Sequence, residues 1–401
     1  MKQPDLAAKR VLAIDVFRGI TILTMVFVNE LAGIADIPGW MKHLAADANG
    51  MTFVDLVFPA FLFIVGMSIP FACAARLHKG DSLRQLFGHI ALRSISLIII
   101  GVFMVNTLSG YDPYTMPIAI HLWTLLMYGA VLLLWCQYPS HWPAVIPIGL
   151  RTLGAALLVT LWYLYQGKAN TGMTTQWWGI LGLIGWAYLM AGIVYLGALQ
   201  IDKAHAQIAF LTLAALGFLG LYLLLNGTRE FEGSALQLLV ENNRNNTHTA
   251  IVLAGAILAT LFYHNALVTH RRGYVMMLIL CSGIAALAIW PVSPISKIWA
   301  TPTWALFSIF FCTLIFTVTH YIVEVKKHTR WCQFFAPAAA NPLLVYILPF
   351  ILLAAVELAG INYRPAIFDS GPAGIFWSAF FALVIMWIAA IMSKMGVKLK
   401  L

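Results

Sequence analysis

The chain has 401 residues, 61% of them hydrophobic and only 10% charged, and its mean hydropathy is +0.86. Soluble domains carry charge on about a quarter of their residues, so a cytosolic enzyme and a secreted disulfide scaffold are excluded. The net charge of +9 is spread loop by loop, not gathered into the patch that nucleic acid requires, so no nucleic-acid partner is expected.

Apolar runs near the length that crosses a hydrocarbon core occur at 13–34, 53–74, 91–107, 118–136, 144–165 and 177–199. They continue at 206–225, 249–269, 274–290, 303–323, 339–358 and 374–393, the ninth being the shortest. The expected fold is an all-α integral membrane protein, a polytopic bundle of about 12 transmembrane helices (10–12), forming one domain over residues 1–401. The first apolar run lacks a small-residue cleavage site and outlasts a signal peptide, so it reads as a span. With this count both ends share one side, and that side receives 17 of the 24 Lys and Arg residues. The positive-inside rule makes both termini cytoplasmic. The five cysteines, Cys73, Cys136, Cys281, Cys312 and Cys332, show no paired spacing, so neither a disulfide framework nor a metal site is expected. Two loops on the outer side are long, 36–52 and 226–248, and the second contains the polar run Glu241 to His248. Long polar loops among tight turns are where binding residues concentrate.

The first span opens Asp15-Val-Phe-Arg18-Gly19 and runs to Asn29-Glu30. At 100° per residue Arg18 and Asn29 share a helix face and stand about 16 Å apart along the axis. That layout suits a long ligand with an anionic head, Arg18 taking the phosphate and Asn29 hydrogen-bonding farther in. The plainer readings are an Asp15–Arg18 pair and an Asn29 that only glues helices. In the outer loop, His43 lies near two carboxylates, Asp47 and Asp55, beside the mouth of the second span. An imidazole titrating near neutrality and oriented by a carboxylate is a general base; the alternatives are a solvated histidine and an Asp55 that caps a helix after Thr52.

These stretches, Asp15-Val-Phe-Arg18-Gly19, Met25-Val-Phe-Val-Asn29, Lys42-His43, Asn49-Gly50 and Asp55-Leu-Val-Phe-Pro59, closely resemble the opening of the heparan-α-glucosaminide N-acetyltransferase family and its bacterial relatives. The likeness is strongest over residues 11–70 and returns at Pro294-Ile-Ser-Lys297-Ile-Trp299 and Ala340-Asn341-Pro342. It implies a membrane acyltransferase that moves an acetyl group from cytosolic acetyl-CoA, as co-substrate, to the amine of a glucosamine-type sugar across the membrane. His43 takes the family's catalytic position and Asn29 its active-site asparagine, with Asp47 or Asp55 orienting the histidine. Arg18, with the basic residues Arg76, Arg84 and Arg93, would attract the phosphates of acetyl-CoA, and Lys297 and Asn341 would stand on the acceptor side. The resemblance further implies a bacterial inner membrane, a periplasmic His43 loop and a homodimer. The family's arginine-rich fourth-span run is replaced here by Ile120-His121-Leu-Trp123. The rival expectation is an amino-sugar or N-acetylglucosamine transporter, which twelve spans also fit in outline.

Overall fold

A computed structural model describes residues 11–226 and 237–400. Lys2, Lys9, Arg10 and Arg229, which entered the charge reading, lie outside the described residues. Among the described residues the regular structure is helical. In order it forms α1 (Leu12–Leu31), α2 (Phe53–Leu77), α3 (Leu83–Leu108), α4 (Ile120–Trp135), α5 (Val145–Leu164), α6 (Gly179–Ala198) and α7 (Ala204–Leu225). There follow α8 (Gln237–Glu241), α9 (Arg244–Tyr263), α10 (Arg271–Ile289), α11 (Pro302–His320), α12 (Cys332–Ala340), α13 (Pro342–Leu358) and α14 (Gly371–Lys394). Among the described residues, extended pairing is confined to isolated bridges.

Each expected span falls on a helix, and ten helices are long and apolar enough to cross a bilayer. The short ninth run is one of them, as α10. Two other runs depart from a straight crossing. α4 has only 16 residues, less than the roughly 20 that a straight span requires. The run at 339–358 is a broken pair, α12 and α13, bent by 77°. Asn341 sits at the break because Pro342 follows it: the proline ring bars the α conformation from the residue before it, and Asn341 adopts φ −140°, ψ 61°.

The chain sorts into two compact units interleaved in sequence. The first takes in the chain up to Thr21, Gly39–Ser94 and Ile184–Trp331; the second takes in Ile22–Pro38, Ile95–Leu183 and Cys332–Leu401.

In the first unit α9 is the central helix, packed by α2, α7, α10 and α11, and its span is 94% buried. This corrects the reading of 226–248 as one outer loop, because helix begins at Arg244 and Asn245, Asn246, Thr247 and His248 are all buried. Local bonding lets part of so polar a segment leave water: Asn243 Nδ2 donates to the Tyr222 carbonyl at 3.0 Å, Asn246 Nδ2 to Asn243 Oδ1 at 3.0 Å, and Thr249 Oγ1 to the Asn245 carbonyl at 2.7 Å. Two glycines set the approach of α2 to α9. A Cβ on Gly66 would run into the Val252 carbonyl, and one on Gly255 into the Phe63 carbonyl. Small residues at a helix crossing are how membrane helices gain contact when lipid and side chains are equally apolar.

In the second unit, α4 packs on α5 and α13, and α14 on α12 and α13. The turn after α4 is fixed by the C-terminal segment: Gln137 N–H donates to the Lys398 carbonyl at 2.8 Å and Lys400 N–H to the Trp135 carbonyl at 3.0 Å. Glu30, buried at the end of α1, accepts from Tyr363 Oη at 3.1 Å, Trp377 Nε1 at 3.1 Å and Arg364 Nη1 at 3.4 Å.

The glycine contact has a measurable consequence. Gly255→Leu places a side chain against backbone that no rotamer change can clear, and is expected to destabilise the protein by about 3 kcal/mol. The check is the thermal unfolding midpoint in detergent beside Gly220→Leu, a position with open space around it, which should unfold close to wild type.

Candidate active site

The loop after α1 and the loop between α10 and α11 meet within the first unit. Asn49 joins them: its Oδ1 accepts from the Trp290 indole N–H at 2.9 Å and from the Ile295 backbone N–H at 2.9 Å. Gly50 N–H donates to the Ile295 carbonyl at 3.0 Å, and Ser296 Oγ to the Ala46 carbonyl at 3.3 Å. The second loop is braced from within, Thr303 Oγ1 donating to the Ser293 carbonyl at 2.6 Å. It also holds the fully buried Ala300 at φ +51°, a conformation that costs a non-glycine residue about 1 kcal/mol or more.

The contacts bring His43, Asp55 and Lys297 together. His43 Nδ1 lies 2.7 Å from Asp55 Oδ1, and the Asp55 side chain is 2% exposed. A carboxylate only accepts, so the ring nitrogen facing it carries the hydrogen, and in the neutral ring the lone pair is then on Nε2. The other Asp55 oxygen, Oδ2, accepts the Thr52 backbone N–H at 3.1 Å, the half of a capping box that starts α2. Capping and orientation, alternatives in the sequence, are thus shared between the two oxygens of one side chain. Thr52 Oγ1 donates to the Lys42 carbonyl at 2.9 Å, which holds the residue before His43 to the helix start, and Trp304 Nε1 donates to the Asp55 carbonyl at 3.3 Å.

Lys297 Nζ is 3.1 Å from His43 Nδ1 and 3.3 Å from Nε2. Near-equal distances to both nitrogens place the ammonium over the ring face, since an in-plane approach would collide with Cε1. The imidazole is therefore held by an acid at its edge and a cation on its face. Burial pushes the Lys297 ammonium below its ordinary pKa of 10.5, with the Asp55 charge working in the opposite direction.

The remaining candidates are dispersed. Asp47 is exposed in the loop, and Asp55 is the carboxylate bonded to His43. Arg18 pairs with Asp15 at 3.0 Å. Arg76 pairs with Asp81 at 2.9 Å, Arg84 is exposed at the start of α3, and Arg93 lies over the Tyr188 ring at 5.1 Å with its Nε unpartnered. Asn29 is exposed on α1 and belongs to the second unit.

Asn341, expected on the acceptor side, is also in the second unit and is buried against the C-terminal segment. Its Nδ2 donates to Ser393 Oγ at 3.2 Å and the Val397 carbonyl at 2.9 Å, and its Oδ1 accepts from the Leu399 N–H at 3.3 Å. These bonds occupy the amide in closing the break between α12 and α13.

Trp290, Ser296 and Trp304 were not singled out from sequence. Their role follows from the loop contact, to which the Asn49-Gly50 pair and the Pro294–Trp299 stretch both belong. Among the described residues no group of three or more His, Cys, Asp or Glu is arranged to hold a metal ion.

The fold and this site define a multi-pass helical membrane protein with a carboxylate-oriented histidine under a lysine where two loops meet. The chain belongs to the DUF5009 family, described as a domain of unknown function, which matches residues 10–232. It is also 46% identical over 98 residues to heparan-alpha-glucosaminide N-acetyltransferase of Homo sapiens, and 44% identical over 101 residues to the protein of that name of Mus musculus. Those stretches cover 24% and 25% of this chain, and 14% of the length of each relative.

The lowered Lys297 pKa sets a pH dependence. Between that value and 10.5 the unfolded chain binds more protons than the native one, so stability attributable to Lys297 rises with pH across the window and is least below it. Lys297→Met is expected to flatten the alkaline part of the curve of unfolding midpoint against pH. An unchanged slope would contradict the burial of the ammonium.

Proposed function

We propose that this protein is a membrane acetyltransferase that carries an acetyl group from cytosolic acetyl-CoA to the amine of a glucosamine-type sugar. The observation that carries the reading is the 2.7 Å contact between His43 Nδ1 and Asp55 Oδ1, which leaves Nε2 as a base, with Lys297 beside it. The similarity to heparan-alpha-glucosaminide N-acetyltransferase over a quarter of the chain supports the reaction class.

In this reading Nε2 of His43 removes a proton from the amine as the amine nitrogen attacks the thioester carbonyl. The carbon–nitrogen bond forms, the carbon–sulfur bond breaks, and the proton passes from His43 to the departing thiolate. Asp55 keeps the ring in the useful tautomer and balances the charge it acquires. The Lys297 ammonium supports negative charge on the carbonyl oxygen. Asn29, the asparagine that the resemblance points to, lies in the second unit, and this step uses residues of the first unit alone. A two-step path through acetyl-His43 uses the same nitrogen as nucleophile.

Arg76 and Arg93 are proposed with Arg18 and Arg84 to attract the phosphates. The excess of basic residues on the side of the termini supports a cytoplasmic placement of both ends and an outer, periplasmic His43 loop in a bacterial inner membrane. A homodimer completes the proposal, on the resemblance alone.

The test is transfer of label from acetyl-CoA to glucosamine by the purified full chain in detergent. His43→Ala is expected to lower kcat by about a thousandfold and Asp55→Asn by a hundredfold or more, on the scale of a lost general base and a lost orienting acid. Uptake of amino sugar into vesicles without acetylation would replace this reading with the transporter.

A further inference from the structure

The head of α9 contains polar atoms that the site described above does not use. Asn245 is 4% exposed and His248 is 2% exposed, and neither Asn245 Oδ1 nor His248 Nδ1 has a hydrogen-bond partner. Leaving a buried polar atom unpaired costs about 1–3 kcal/mol, so such atoms in a native structure mark strain or an absent partner. Three residues apart on a helix, these two side chains lie on neighbouring parts of one face. Thr247 Oγ1 is also unpartnered, but its position turns it to another face.

The surroundings connect this face to the chemistry. The His248 ring meets Phe58 edge-on at 5.3 Å and Trp304 at 6.1 Å. Phe58 is the residue one turn after Asp55 on α2, and Trp304 is bonded to the Asp55 carbonyl. On the other flank Arg244 lies over the Trp299 ring at 5.0 Å, and the Tyr222 hydroxyl donates to the Trp299 carbonyl at 2.9 Å, two residues beyond Lys297. The head of α9 is therefore bracketed by the segments that supply Asp55 and Lys297, His248 meeting Phe58 one turn along α2 from Asp55. The side chains around it are aromatic and amide-like. The oxygens of Asp55 are committed to His43 and Thr52, and the Arg244 guanidinium rests on Trp299. Such surroundings suit an uncharged ligand rich in hydroxyl groups better than an ion.

We infer that the buried head of α9 is an inner subsite for the acceptor, where Asn245 and His248 receive the hydroxyl and ring-oxygen groups of a sugar whose amine is presented to His43. This deepens the acetyltransferase reading and rests on it for the identity of the ligand. The two polar side chains hold the ring while the aromatic residues exclude water, and the acetyl donor makes no contact with them.

The test uses the full chain in detergent with Asn245→Leu and His248→Phe, which keep bulk and delete the polar atoms. Glucosamine is the probe, its affinity read by saturation-transfer NMR. KM for glucosamine and for acetyl-CoA is read from label transfer, and thermal midpoints show which variants are folded. Each substitution is expected to weaken glucosamine about tenfold, in affinity and in KM, while KM for acetyl-CoA stays within about twofold. Asn245→Ser and His248→Asn, which keep a polar group at shorter reach, should lose about threefold, and they carry the comparison if an apolar variant does not fold. Unchanged glucosamine affinity in folded variants, an equal loss for both substrates, or a wild-type chain that does not bind glucosamine would overturn the subsite. A wild-type chain that binds glucosamine, loses it in the variants and transfers no acetyl group would keep the subsite and remove the acetyltransferase reading.

Discussion

The Asp55 carboxylate is the constraint on which the site turns. One oxygen closes the first turn of α2 and the other holds His43 at 2.7 Å, so the position of the imidazole is tied to the start of a membrane helix. A loop histidine would otherwise sample many rotamers at an entropic cost to any reaction requiring one of them. α2 is in turn pressed against the central helix through Gly66 and Gly255. The geometry of a residue at the surface of the first unit thus derives from backbone contact inside it.

Buried polar groups differ in how fully they are hydrogen-bonded. In the second unit Glu30 has three donors, and the Asn341 amide uses both its oxygen and its nitrogen. These clusters are saturated and hold helices and turns in place. The unpartnered atoms at the head of α9 are expensive in a low-dielectric interior, and the segment they occupy adjoins Trp299 and Trp304. Glu30 and Asn341 hold the fold together through these bonds, whereas the atoms at the head of α9 are buried without them, a difference that residue type does not show.

Hydropathy served well for the spans because the requirement is physical and local: backbone polar groups in lipid must bond within the segment, so helix is the form an apolar run takes. It served less well where polarity and burial part company. Glu241 to His248 looked like a solvated loop, yet Arg244 onward is helix. Polarity alone does not show that Tyr222, more than twenty residues away, supplies a carbonyl to Asn243. Asn341 had the right neighbour, Pro342, to mark a break in a helix. Its role in tying the break to Ser393 and Leu399 depends on contacts some fifty residues on, which no local pattern encodes.

The sequence by itself determined the membrane class and the position of nearly every crossing, and it set a loop histidine near two candidate carboxylates, Asp47 and Asp55. Each follows from composition or from spacing within a dozen residues. Tertiary structure alone decided that Asp55 and not Asp47 bonds to His43, and that Lys297 stands over the ring from 254 residues away. It also decided that α9 buries its polar head at the centre of the first unit. These are meetings of distant segments, set by helix packing and loop closure, and the energy that selects them resides in contacts between elements, outside any one of them.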